Sequence, residues 1–164
     1  MLGDDAIARY ARQIVVPGIG AVGQERLLAT TVIVAGHPRG VAQATLYLEA
    51  AGVRVVGHER HELEDAQVAI VAGVDSIADP LLALLASCGK PVCWYRIDGD
   101  GFTSGVHPES PLPSSPSSPS CPACPASPAS PAEWHDAAAC DTAAIACAII
   151  LGLPHRRGPF HFQF

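Results

Sequence analysis

Two hydrophobic periodicities alternate along the chain, and the places where one gives way to the other mark its elements. In residues 4–28, Ile7, Tyr10, Ala11 and Ile14 recur at helical spacing behind Asp4 and Asp5, which predicts a helical arm capped by one of those carboxylates. Pro17 and Gly18 interrupt the arm, and a short second helix resumes at Gly23. Residues 31–35 are a continuous, largely β-branched run that reads as a strand buried on both faces, stopped at Gly36, His37, Pro38, Arg39 and Gly40. A helix over about 41–51 follows, offering Leu46, Leu48 and Ala50 for packing, with Gly52 as a left-handed cap and 53–56 as the next strand. Strand, tight turn, helix and strand in this order form the βαβ unit of a parallel sheet.

The same reading gives a strand at 68–72, a crossover helix at 77–87, a strand at 91–96, and a neighbouring strand at 102–106 behind the turn 98–101. Between the second and third strands, residues 57–67 read as a polar loop. Its His58 and His61 lie three apart, outside any helix that would bring both to one face. Residues 107–132 differ in kind: serine, proline and alanine dominate, and so many prolines forbid helix and central strand, which predicts an extended, flexible linker. An alanine-rich helix at 133–151, ended by Gly152 and Pro154, and a last strand at 160–164 complete the chain. The fold class expected is a single α/β domain, a Rossmann-like, mostly parallel sheet with helices on both faces. Residues 1–30 form its arm, 31–106 its core, 107–132 its linker, and 133–164 its C-terminal helix and strand.

Composition narrows this further. At 164 residues one core suffices. With 49% apolar residues but 5% aromatics, alanine fills the interior and favours close helix-to-strand packing. The net charge of −6 is spread out, and the compact basic cluster is His155, Arg156 and Arg157, so no nucleic-acid partner is expected. No apolar run approaches the roughly 20 residues that cross a bilayer, and the first residues lack a signal-peptide pattern. No membrane partner and a cytoplasmic location are expected. The six cysteines then read as thiols.

Arg9, Tyr10, Arg12, Gln13 and Ile14, followed by Gly20, Gly23, Gln24 and Leu27, resemble the N-terminal signature of the ThiF/MoeB/HesA family of adenylating enzymes, bacterial relatives of ubiquitin-activating enzymes. Residues 47–53 resemble that family's first crossover helix and its exit. Weaker likeness runs through 68–106, the Cys121 and Cys124 pair, and the helix at 137–151. The resemblance implies a Rossmann-like fold, dimerisation, ATP as cofactor, and a sulfur-carrier protein or peptide as substrate.

The departures from that pattern carry the functional expectation. The family's glycine-rich turn cradles phosphate on bare backbone at a helix N-terminus. Here Gly36 keeps the first glycine, while His37, Pro38, Arg39 and Val41 stand where the others belong. Proline removes a donor and valine puts a branched side chain in the phosphate's path. Val55, Val56 and Gly57 lack the acidic residue expected for the ribose, and the family's Arg and Lys segment is missing from 57–67.

Several positions remain as candidates. Asp75 matches the family's magnesium-ATP aspartate or caps the helix at 77. Arg12 either reaches a neighbouring subunit's ATP site as a charged finger or is an ordinary arginine of the arm. Cys121 and Cys124 form half of a tetrahedral zinc site, completed by Cys140, His135, His107 or a partner, or are free thiols. Cys140 is the candidate for a reactive thiol, in the first half of a helix with His135 nearby. Cys147 reads as core packing, Cys88 as a helix end and Cys93 as a buried strand position.

The leading expectation is a catalytically degenerate homologue that dimerises through the arm and first crossover helix, with itself or with an active homologue, and binds a sulfur carrier or peptide. One alternative is an active adenylyltransferase or sulfurtransferase with an atypical ATP site in which Asp75, Arg12 and Arg39 handle phosphate and magnesium; Gly36, Arg39 and Asp75 are the cofactor-binding candidates. Another is a Rossmann-like module for a different small ligand at the carboxyl ends of the strands.

Overall fold

Alternate residues of the apolar runs face opposite ways, and that alternation builds a two-sided sheet. The computed structural model describes residues 2–57, 62–73, 84–85, 87–97, 101–108, 131–155 and 159–163. Its strands are β1 (Thr31–Gly36), β2 (Arg54–Val56), β3 (Val68–Ala72), β4 (Val92–Ile97), β5 (Gly101–His107) and β6 (Phe160–Gln163). They lie in the order β2-β1-β3-β4-β5-β6. The first four are parallel, and β5 and β6 add on antiparallel. The chain is thus an α/β fold with a mostly parallel sheet, as the sequence pattern requires.

The helices are α1 (Asp4–Ile14), α2 (Gly20–Ala29), α3 (Pro38–Ala51), α4 (Glu62–Asp65) and α5 (Pro131–Leu151). On one face, Val32, Val34, Ile70, Ala72, Cys93 and Tyr95 pack under α3 and α5. On the other, Ile33, Ala69, Val71, Val92 and Trp94 pack with Ala66 and Leu85. Leu84, Leu85 and Ser87 are helical, as expected for the crossover helix at 77–87, most of which lies outside the described residues. So do residues 109–130, the bulk of the proline-rich stretch read as a linker at 107–132.

Several details differ from the sequence reading: Gly3 rather than Asp4 or Asp5 stands at the N-cap of α1, with no side-chain cap, and α2 starts at Gly20 rather than Gly23. The first crossover helix starts at Pro38 rather than 41, because proline fits the first helical position, where no N–H is needed. In α3, Leu48 is buried but Leu46 is 60% exposed, the register being set by Gly40, Ala44 and Leu48. A short helical turn, α4, stands in the segment read as loop. Finally, Glu133–Leu151 is long and apolar enough by composition to cross a bilayer. In this fold it is a core helix, with Trp134, Ala138, Ala139, Thr142 and Ala146 buried against the sheet.

The arm is seated by its motif residues. A helix leaves its last carbonyls without intrahelical partners. The Gln13 side chain donates to Ala50 O and the Gln24 side chain donates to Ala51 O, each at 2.9 Å, at the end of α3. Tyr10 is buried against Gly52, where a Cβ would come within 3.0 Å of its ring. Gly52 itself has φ of +92°. Tyr10, Gln13 and Gln24 therefore do structural work within the chain, whereas Arg9 and Arg12 face solvent.

Candidate functional site at the carboxyl ends of the parallel strands

Parallel α/β sheets place ligands beyond the carboxyl ends of their strands, which here means the turn from β1 into α3, the end of β3 and the end of β4. Gly36 has φ of +115° and lies so close to β3 that a Cβ would strike the Ala72 carbonyl oxygen and come within 2.9 Å of the Ala72 nitrogen. The His37 N–H donates to Ala72 O at 2.7 Å. That donor is spent on the neighbouring strand, and Pro38 has none.

Side chains of this chain occupy the space above. A Cβ on Gly40 would meet the Tyr95 hydroxyl and stand 2.9 Å from the Ala72 Cβ, so Gly40 makes room for Tyr95 to reach the helix start. The Tyr95 hydroxyl is 3.0 Å from His135 Nδ1. Burial first, and the nearby Asp136 charge second, raise the Tyr95 phenol well above its ordinary range. The His135 ring stacks on His37 with centroids 3.9 Å apart and planes inclined by 9°. Beside it, Arg39 grips Asp136 with two hydrogen bonds, of 2.9 Å from Nε and 2.6 Å from its terminal nitrogen. These bonds hold Asp136 below the ordinary carboxylate value and raise Arg39 in turn. The pair is solvent-facing and adds little stability, but it ties the first turn of α3 to the N-terminal part of α5.

The sequence-derived candidates disperse. Gly36 and Arg39 meet at this crevice. Arg12 lies on the arm, exposed, with no hydrogen bond or ion pair among the described residues. Asp75, Cys121 and Cys124 lie outside the described residues. Among those described, no group of three His, Cys, Asp or Glu side chains is arranged for a metal. His135, considered as a recruit for zinc, is instead engaged by Tyr95 and His37.

Cys140 is half-buried in α5, beyond the first turn where a helix N-terminus exerts its field. Cys93 and Cys147 are thiols in the sheet-to-α5 core. Burial pushes Cys93 far up and Cys147 to about 11. Only the thiolate is nucleophilic, so in the folded protein at neutral pH both are expected to resist alkylation while exposed Cys88 reacts. Iodoacetamide labelling with peptide mapping checks this, and labelling of Cys147 at neutral pH as fast as Cys88 contradicts it.

Tyr95, His135 and Asp136 were missed by sequence reasoning as parts of one site. Asp136 is 97 positions from Arg39, and His135 is 40 from Tyr95. No spacing signal joins them.

No family model matches the chain. It is 41% identical over 56 residues to the probable adenylyltransferase/sulfurtransferase MoeZ of Mycobacterium tuberculosis, 34% of this chain and 14% of that protein. It is 43% identical over 56 residues to the adenylyltransferase and sulfurtransferase MOCS3 of Drosophila willistoni, 34% of this chain and 12% of that protein. With MOCS3 of Arabidopsis thaliana it shares 39% over 62 residues, 38% of this chain and 13% of that protein. The chain thus spans about an eighth of the length of the curated relatives it matches. These partial likenesses support a ThiF/MoeB-like relationship. The crystal structure of selenomethionine PaaA matches with a TM-score of 0.69, covering 100% of this chain and 81% of PaaA. At 14% identity that likeness establishes a shared α/β fold.

Proposed function

We propose that the chain is a catalytically degenerate relative of the adenylating enzymes, acting by association as a dimerising or substrate-binding subunit. The observation that carries this reading is the filled crevice. Where a phosphate cradle needs bare backbone and free N–H groups, there are a proline, an N–H already given to β3, and the side chains of Tyr95, His135 and His37. Arg39, in the first turn of α3, is held by Asp136. A nucleotide triphosphate does not fit these residues as they stand.

The exposed apolar residues support the association half. Val15 is 77% exposed, Val22 64% and Leu46 60%, and Val16 and Tyr47 add to the same two elements, the arm and α3. Exposed apolar surface of this kind favours a protein partner. A second copy of this chain, or an active homologue, is the partner proposed for that face. The cargo class is a sulfur-carrier protein or peptide. Arg12, on the same arm, is placed in this reading as the finger that enters the partner's ATP site.

The test is ATP–pyrophosphate exchange by the purified chain, alone and mixed with an active homologue. No exchange is expected alone. With the homologue, a gain in turnover that disappears on Arg12→Ala is expected. Exchange by the chain alone would overturn the degenerate reading in favour of an active adenylyltransferase with an atypical site.

A further inference from the structure

The arm and α3 offer their exposed apolar residues either to a second copy or to a different chain, and the charges around that face favour one of the two. We propose that the face takes a different chain, one that presents carboxylates around an apolar centre, and that it rejects a second copy. The proposal rests on the reading above of the arm and α3 as a docking face.

Three arginines gather at the corner where α3 ends. The Arg9 guanidinium carbon lies 5.5 Å from the centre of the Tyr10 ring, and Tyr10 packs against Gly52, the cap of α3. Arg12 adjoins Gln13, whose side chain donates to Ala50 O at the same corner. Arg54 follows two residues after Gly52, at the exposed start of β2. All three are exposed, and none is in an ion pair among the described residues. Apolar surface lies beside them. A Cβ on Gly52 would stand 3.0 Å from Leu28 Cδ2, and Tyr47 is one turn before Ala51; the two side chains are 38% and 44% exposed. Glu49, exposed in the last turn of α3, is one carboxylate against the three guanidiniums, while Asp4 and Asp5 stand a turn or more before Arg9.

This corner runs against the average of a chain that carries −6. Exposed charges more than about 8 Å apart are largely screened at physiological salt, so the local sign counts for more at a contact than the net charge. A second copy docked by a two-fold axis brings the same patch to the contact. Both sets of arginines then meet with only the two Glu49 carboxylates between them, and juxtaposed like charges cost an interface affinity. Carboxylates on a different chain instead match the planar guanidinium forks, with Leu28 and Tyr47 covered between them.

The experiment uses the full chain and, as an acidic partner with the same apolar surface, its own charge-reversed variant carrying Arg9→Glu, Arg12→Glu and Arg54→Glu. Sedimentation velocity at about 0.15 M salt is run on each alone and on their equimolar mixture. Each alone is expected to remain monomeric at low micromolar concentration. The mixture is expected to form a one-to-one pair at least about tenfold tighter than either self-association, and to weaken at about 1 M salt. A wild-type dimer at that concentration overturns the proposal, whatever the variant does. So does a mixture no tighter than its components when the variant keeps the wild-type denaturation midpoint. Arg9→Glu with Arg54→Glu repeats the mixture with a smaller change should the triple variant fail to fold, and is read the same way. ATP–pyrophosphate exchange by the chain alone counts against the degenerate reading and leaves the choice of partner untouched, so the two ideas fail separately.

Discussion

Gly36→Ala is expected to destabilise the chain by roughly 3 to 5 kcal/mol, the sum of a strained positive-φ residue and an overpacked contact. The φ of +115° disfavours any L side chain, and the added methyl would drive into the Ala72 backbone, which cannot move without breaking the pairing of β1 with β3. Stabilities of single domains run from about 5 to 15 kcal/mol, so much of the chain would be unfolded at ambient temperature. Urea denaturation with an unchanged slope measures it. A loss under about 1 kcal/mol would show that the two strands do not approach this closely. The expectation also bears on function: the sheet already demands this glycine, so its presence carries no information about a nucleotide.

Trp134→Ala should cost a similar amount, about 3 to 5 kcal/mol, by the transfer and cavity terms of a deleted indole. Trp134 is 2% exposed and wedges α5 against the antiparallel end of the sheet, with ring centroids 6.5 Å from Phe102 and 6.3 Å from Phe162. Its position beside His135 and Asp136 makes it the anchor for the part of α5 that closes the crevice. Trp134→Phe fills most of the space and is expected to recover more than half of the loss. Equal losses for the two variants, read from denaturation midpoints, would mean that the aromatic packing does not anchor the helix.

The sheet was legible because its signal is local. Residues 31–35, 68–72 and 91–96 are apolar runs bounded by glycine, proline or polar residues, and each became a parallel strand within one residue or so at either end. The later strands, around 102–106 and 160–164, were legible from other local signals, the turn at 98–101 and the alternation of Phe160, Phe162 and Phe164. Helix boundaries were less so. Pro38 served as a first helical residue rather than as part of a loop, and the outward turn of Leu46 depended on what β1 and α5 left room for.

The arm motif shows how a family-like pattern carries two meanings. Tyr10, Gln13 and Gln24 resemble a signature of adenylating enzymes, and their contacts explain them equally as the seat of the arm on α3. The exposed Arg12 has no such internal explanation, which is why it stays with the functional proposal.

By itself the sequence determined the order of strands and helices, the parallel core and the glycines that end β1 and α3, since each follows from side-chain periodicity or from a backbone angle that one residue type tolerates. It also determined that the β1–α3 turn is poor in phosphate donors, because proline has no N–H wherever it is placed. Only the tertiary structure decided what fills that turn. His135 and Asp136 reach it from a helix that follows nearly a hundred residues later, and contacts between elements so distant in sequence depend on how layers stack, which no spacing along the chain encodes.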